Sequence, residues 1–215
     1  MKSFERRVKH LPACRGELRR LRKLLAGRAT LSETRDVLPF FQACKDLSLL
    51  VGELNLLDST ADRLAFEYDL FGDFACDLVV GNAGQKEYVF VEFEDAAADS
   101  VFKRVGPKAR RDWSPRFDRG YSQIIDWFCK LHDMEKSDEF EARFGARSIS
   151  YSGLLVIGRD QHFEPGEQRR LEWRRSYVIV NSKKITCLTF DELVGLLARQ
   201  LAAYDQAMAP RKPRG

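Results

Sequence analysis

At 215 residues the chain has room for one well-packed domain, and a composition that is 44% hydrophobic and 11% aromatic excludes disorder over most of its length. The opening "MKSFERRVKH" begins no apolar stretch of signal-peptide length, and no window nears the roughly 18–20 apolar residues of a membrane helix, so a cytoplasmic protein with no membrane partner is expected. A formal net charge of +4 is unevenly spread: residues 1–30 hold ten Lys or Arg against Glu5 and Glu17, which points either to a polyanionic partner or to a solvated helix face.

Leu18, Leu21, Leu24 and Leu25 recur at three- and four-residue spacing in "RGELRRLRKLLAGR", which predicts a basic amphipathic helix ending near Gly27. Its leucine stripe must dock on a core or on another subunit. Thr30 with Glu33 suggests a capping box, followed by a helix from about Val37 to Leu57 with Pro39 in its first turn. Phe40, Cys44, Leu47, Val51 and Leu54 form the buried stripe of that helix, and Glu53 lies off it. "RLAFEYDL", "FACDLVVG" and "EYVFVEFE" then read as three short strands of an antiparallel meander, with Gly72-Asp73 and Gly81-Asn82-Ala83-Gly84 as turns.

Residues 103–119 hold seven Lys or Arg and two acids without periodicity and read as an exposed basic loop. Ser114-Pro115 fits an N-cap and first helical position, opening a helix to about Asp133. "SGLLVIG" is a buried strand, followed by a short helix near 165–175, strand-like "SYVIVN" and "ITCLT", and a last helix capped by Thr189 with Glu192. The sum is an α/β fold with a mixed central sheet flanked by helices. Residues 1–34 form a basic helical extension, 35–206 the main domain, and 207–215, which include "RKPRG", a disordered tail. Five scattered cysteines and three scattered histidines form no zinc pattern, and the cysteines read as small buried residues.

Alternation along a strand puts Glu92 and Glu94 on one face and Val91 and Phe93 on the other. Asp77 interrupts the otherwise apolar "ACDLVV", and a carboxylate in a buried run is costly unless paired. If the two strands are neighbours, Asp77 and Glu92 meet at one end of the sheet. Carboxylates gathered in that way suit a hard cation, Mg²⁺ or Mn²⁺. The plainer reading pairs Asp77 with an arginine and leaves Glu94 and Asp95 in solvent.

Asp77, Glu92 and Glu94 on two strands, followed by Gln123 and Trp127 one turn apart on the next helix, resemble the PD-(D/E)XK nuclease superfamily. The order "CDLVVG", "YVFVEFEDA", "GYSQIIDWF", "GLLVIGRD" with "RRLEW", and "ITCLTFDEL" resembles more closely the Shedu family (DUF4263) of anti-phage defence nucleases, over residues about 38–200. The resemblance implies a restriction-endonuclease-like core, αβββαβ, in which Asp77 and Glu92 bind the metal, Gln123 supports the site, and Glu53 is a further acidic ligand. It also implies homo-oligomers, and a separate sensor or activator protein is a further expected partner.

The superfamily's usual lysine two residues after the glutamate is here Glu94, which either binds metal or accepts a proton, or marks an inactive module that senses nucleic acid or serves as a scaffold. The expected activity is metal-dependent hydrolysis of DNA. Arg104, Lys108, Arg110, Arg111, Arg116 and Arg119, interleaved with Trp113, Phe117 and Tyr121, are the expected contacts to phosphates and bases.

Overall fold

A computed structural model of the chain describes residues 3–57, 59–107, 110–161 and 163–208. Its centre is a seven-stranded mixed sheet. Strands β1 (Glu5–Arg6), β2 (Arg63–Leu70), β3 (Phe74–Asn82) and β4 (Glu87–Phe93) pair antiparallel in sequence order, so the expected meander is present. Two strands, β5 (Phe102–Lys103) and β6 (Asp112–Trp113), form a separate small hairpin. The main sheet continues with β7 (Ser150–Val156), parallel to β4, then β9 (Lys183–Leu188), parallel to β7, and β8 (Ile179–Val180) at the edge. A parallel pairing needs a crossover, and here the helices between β4 and β7 supply it.

One face of the sheet is covered by α1 (Leu11–Gly27), α2 (Leu38–Ala43), α3 (Lys45–Glu53) and α7 (Phe190–Met208). The other is covered by α4 (Pro115–Met134), α5 (Asp138–Phe144) and α6 (Pro165–Tyr177). Val89, Val91 and Phe93 face the first layer, Tyr88 and Phe90 the second, as the period of two requires. Leu18, Leu21 and Leu25 of α1 are buried in the first layer, so the leucine stripe is used within the chain.

Several expectations are corrected. The single helix over 37–57 is two, broken at Cys44, whose backbone (φ −117°, ψ 59°) leaves the helical region. The break leaves Asp46 in the first turn of α3, where a carboxylate is favoured by the helix dipole and here accepts from the His10 N–H at 2.7 Å and from Arg7 at 2.5 Å. Thr30 and Glu33 form no capping box: residues Glu33–Val37 make one π-helical turn, and Asp36 instead accepts from the Ser32 N–H at 2.9 Å. The basic loop is part hairpin and part helix, because Ser114 caps α4 through the Phe117 N–H and residues 115–119 are its first turns. "SYVIVN" yields only β8, its first residues continuing α6. Helix α5, capped by Ser137 and ended by left-handed Gly145, falls where no element was expected. Cys129 is exposed, on the outer side of α4, while Cys14, Cys44, Cys76 and Cys187 are buried. The expected tail over 209–215 lies outside the described residues.

The capping box at α7 is present, with Thr189 N–H on Glu192 and Glu192 N–H on Thr189 at 2.8 and 3.1 Å. Two glycines let α4 sit down on the sheet. A Cβ on Gly153 would lie 2.5 Å from Ile124, and one on Gly120 would lie 2.9 Å from Leu155 and 3.3 Å from Glu94.

Candidate active site

The site is built where the β3–β4 ladder runs out. The pairing Leu78 with Val91 is its last rung, and one step further the register sets Asp77 opposite Glu92. Asp77 turns instead across the strand end and accepts the Phe93 N–H at 2.8 Å. Glu92, between Val91 and Phe93, lies on the α4 side, and Glu92 and Glu94 are buried, 5% and 3% exposed.

Arg116, in the first turn of α4, reaches Glu94 at 2.7 Å, Asp95 at 3.1 Å and Glu33 at 3.7 Å. The π-helical turn brings Glu33 there, held by its own N–H on Asp95 at 2.8 Å, while Leu31 and Ala96 exchange backbone hydrogen bonds beside it. Sequence reasoning missed Glu33 because its position in the chain suggested a cap. The signal that could have found it is that it is an acid placed just before a helix packed over the strand end.

Three carboxyl groups thus gather on one guanidinium, and the charges of Asp77 and Glu92 are felt beside them. Burial pushes the Asp77 carboxyl above the usual range, against the Phe93 N–H that favours its charged form, with Glu33 and Glu94 adding to the rise. Glu92 is pushed well up by burial, then by Asp77 and Glu94. Burial also raises Glu94 despite its bond to Arg116, and raises Glu33 despite the Arg116 charge. Glu92 Oε2 is buried with no hydrogen-bond partner, a costly condition for a polar atom that a cation would relieve. Among the described residues no three or more His, Cys, Asp or Glu side chains are arranged to hold a metal by themselves.

The other expected residues separate. Glu53 is buried elsewhere, its carboxylate bonded to Lys9 (2.6 Å), the Ala61 N–H (2.8 Å) and the Tyr204 hydroxyl (3.0 Å). Gln123 is half buried, two helical turns beyond Arg116 on α4, and Trp127 is fully buried. Among the basic residues, Arg104, Arg110 and Arg119 are exposed. Arg111 is bound bidentately to buried Glu167, 2.6 Å through Nε, and Arg116 belongs to the acidic cluster. Lys108 lies outside the described residues. Phe117 and Tyr121 are buried, so they offer no face to a base. Beside the acids a cavity of about 360 Å³ opens, lined by Asp95, Asp99, Lys103, Arg116 and Arg119.

Residues 30–194 match the family described as Shedu protein SduA, C-terminal. The chain belongs to that family. Membership implies a part in anti-phage defence, and it covers every residue of the acidic cluster while leaving α1 outside the match. No curated protein matches the chain. Among the described residues no helix is long and apolar enough to cross a membrane. The Shedu match thus begins just before Glu33 and ends within α7.

Proposed function

We propose that this Shedu chain is a metal-dependent nuclease that hydrolyses phosphodiester bonds of DNA. The observation that carries the reading is Glu92 Oε2, a buried carboxylate oxygen without a partner among carboxyl groups that raise one another's pKa. The order helix, three antiparallel strands, helix, parallel strand supports a restriction-endonuclease-like core of the PD-(D/E)XK type.

Asp77 and Glu92 would hold Mg²⁺ or Mn²⁺. A divalent ion there supplies Lewis-acid polarisation of the phosphate and a more acidic water. Glu94, with a raised pKa, would accept the proton of the water that attacks phosphorus as the bond to the leaving oxygen breaks. Arg116 supplies, from α4, positive charge beside the position where the superfamily carries lysine, and offsets charge gathering on the phosphate. Lys103 and Arg119 on the adjoining cavity would hold flanking phosphates. Assembly into homo-oligomers and control by a separate activator belong to the same proposal.

The test is cleavage of end-labelled linear DNA and supercoiled plasmid in Mg²⁺, Mn²⁺ or EDTA, wild type against Glu92→Gln. Metal-dependent cleavage that Glu92→Gln abolishes is the expected result. DNA binding without cleavage under any metal would favour an inactive sensing module.

A further inference from the structure

Across α4 from the acids, the surface of α6 carries a feature the reaction does not use. Trp173 and Tyr177 stand one turn apart, ring centroids separated by 5.7 Å, and are 59% and 69% exposed. Single exposed apolar residues are ordinary, whereas two large rings side by side in water mark an interaction surface. The parallel ridge of the helix carries Arg170 and Arg174. Arg170 lies over Trp113 at 5.1 Å, and Arg174 over Trp113 and Tyr121 at 5.0 and 4.3 Å. Trp113, Trp173, both arginines and Val178 line a cleft of about 440 Å³.

Charge decides what fits it. Arg170 donates to the Arg111 carbonyl at 2.7 Å, and both burial and the nearby Arg110 weigh against its charge. Exposed Arg169 extends the Trp173 ridge by one turn. Two copies of the chain meeting on this face would bring these arginines together, which costs free energy. A paired duplex has no free base face to offer. An unpaired nucleotide has both a π-face for the indole and a phosphate for the arginines.

We infer that the cleft between Trp113 and Trp173 binds an unpaired nucleotide of a single strand. Arg174 also pairs with Asp118 at 3.3 Å, two residues from Arg116, so the cleft and the acids flank the first turns of α4. The inference deepens the nuclease reading by naming single-stranded or frayed DNA as the form bound, and its test reads binding without cleavage.

Fluorescence anisotropy of a labelled oligothymidylate and of a blunt-ended two-stranded duplex without a loop is measured in EDTA at low salt on the full chain. Trp173→Ala is expected to weaken single-strand binding about tenfold, the scale of one base–aromatic stack. Trp173→Phe should stay within about threefold of wild type, as a retained aromatic face requires. Duplex binding and the thermal midpoint should not move. Equal single-strand affinity of Trp173→Ala, absence of single-strand binding by wild type, or a drop in sedimentation coefficient on Trp173→Ala, which would mean that a second copy covers the face, each overturns it. Failure of cleavage with the Trp173 effect intact would remove the nuclease reading and leave the cleft standing.

Discussion

Arg116 Nη1 lies 2.7 Å from Glu94 Oε2, joining the first turn of α4 to the end of β4. Glu94 has a side chain only 4% exposed while that of Arg116 is 39% exposed, so the two partners stand to lose unequally. Removing Arg116 strands a buried charge. Removing both charges does not.

Arg116→Met is therefore expected to destabilise by about 1–2 kcal/mol, below the range for a fully buried pair because Arg116 is partly solvated. The double variant Arg116→Met with Glu94→Gln should recover most of that loss in urea unfolding. Recovery would show coupling between the two, and additive losses would contradict it.

The raised carboxyls give a pH signature. With folded-state pKa values above those of the unfolded chain, Asp77 and Glu92 contribute stability below the unfolded values that is lost as pH rises through the folded ones. Without divalent ions, Glu92→Gln should then raise the melting temperature at pH 8, by about 2–4 °C per kcal/mol of the penalty that burial and the neighbouring acids place on an ionisable group, and change it little at pH 5.

The same protons must leave before a cation binds. Mn²⁺ affinity by calorimetry should strengthen from pH 6 to pH 8 with proton release, and Asp77→Asn should remove the binding. A pH-independent affinity would place the ion elsewhere.

Glu53→Gln separates a structural carboxylate from a metal ligand. Its bonds to Lys9, Ala61 and Tyr204 predict a loss of about 3 kcal/mol, as when one partner of a buried pair is removed. The folded fraction should still cleave DNA. Cleavage lost at full stability would restore Glu53 to the site.

Gly120→Ala puts a methyl group 2.9 Å from Leu155 Cδ1 and 3.3 Å from the Glu94 carboxylate. Leu155 can shift, so stability should fall by about 1 kcal/mol. Turnover should fall as well, because the Glu94 carboxylate, the proposed proton acceptor, must give by a few tenths of an ångström.

The sequence made the three meander strands, the Ser114 cap and the Thr189 box legible, since alternation and cap chemistry are local. That Asp77 and Glu92 come opposite one another was legible for a related reason, Asp77 being the one acid in "ACDLVV" and Glu92 alternating with Val91 and Phe93 on the neighbouring strand. Glu33 was not, because its turn is brought to the strand end by the distant Leu31–Ala96 pairing and by its own N–H on Asp95. Nor was the division of labour among the arginines: Arg110, Arg111 and Arg116 look alike in sequence, yet one is exposed, one is fixed on Glu167 and one neutralises Glu94. The Cys44 break was not legible either, since the Asp46 that follows it finds its partners, Arg7 and His10, 36 and more residues away.

Helix α1 precedes the matched region, yet it fills the core with Cys14, Leu18, Leu21 and Leu25, and Arg159 donates to the Leu25 carbonyl at 3.0 Å at its end. The matched stretch, residues 30–194, is therefore smaller than the packed core, which takes in α1 before it and Leu197 and Leu201 of α7 after it. Taking α1 away would leave α3 and α7 with an oily trench, and another leucine ridge would have to be supplied to close it.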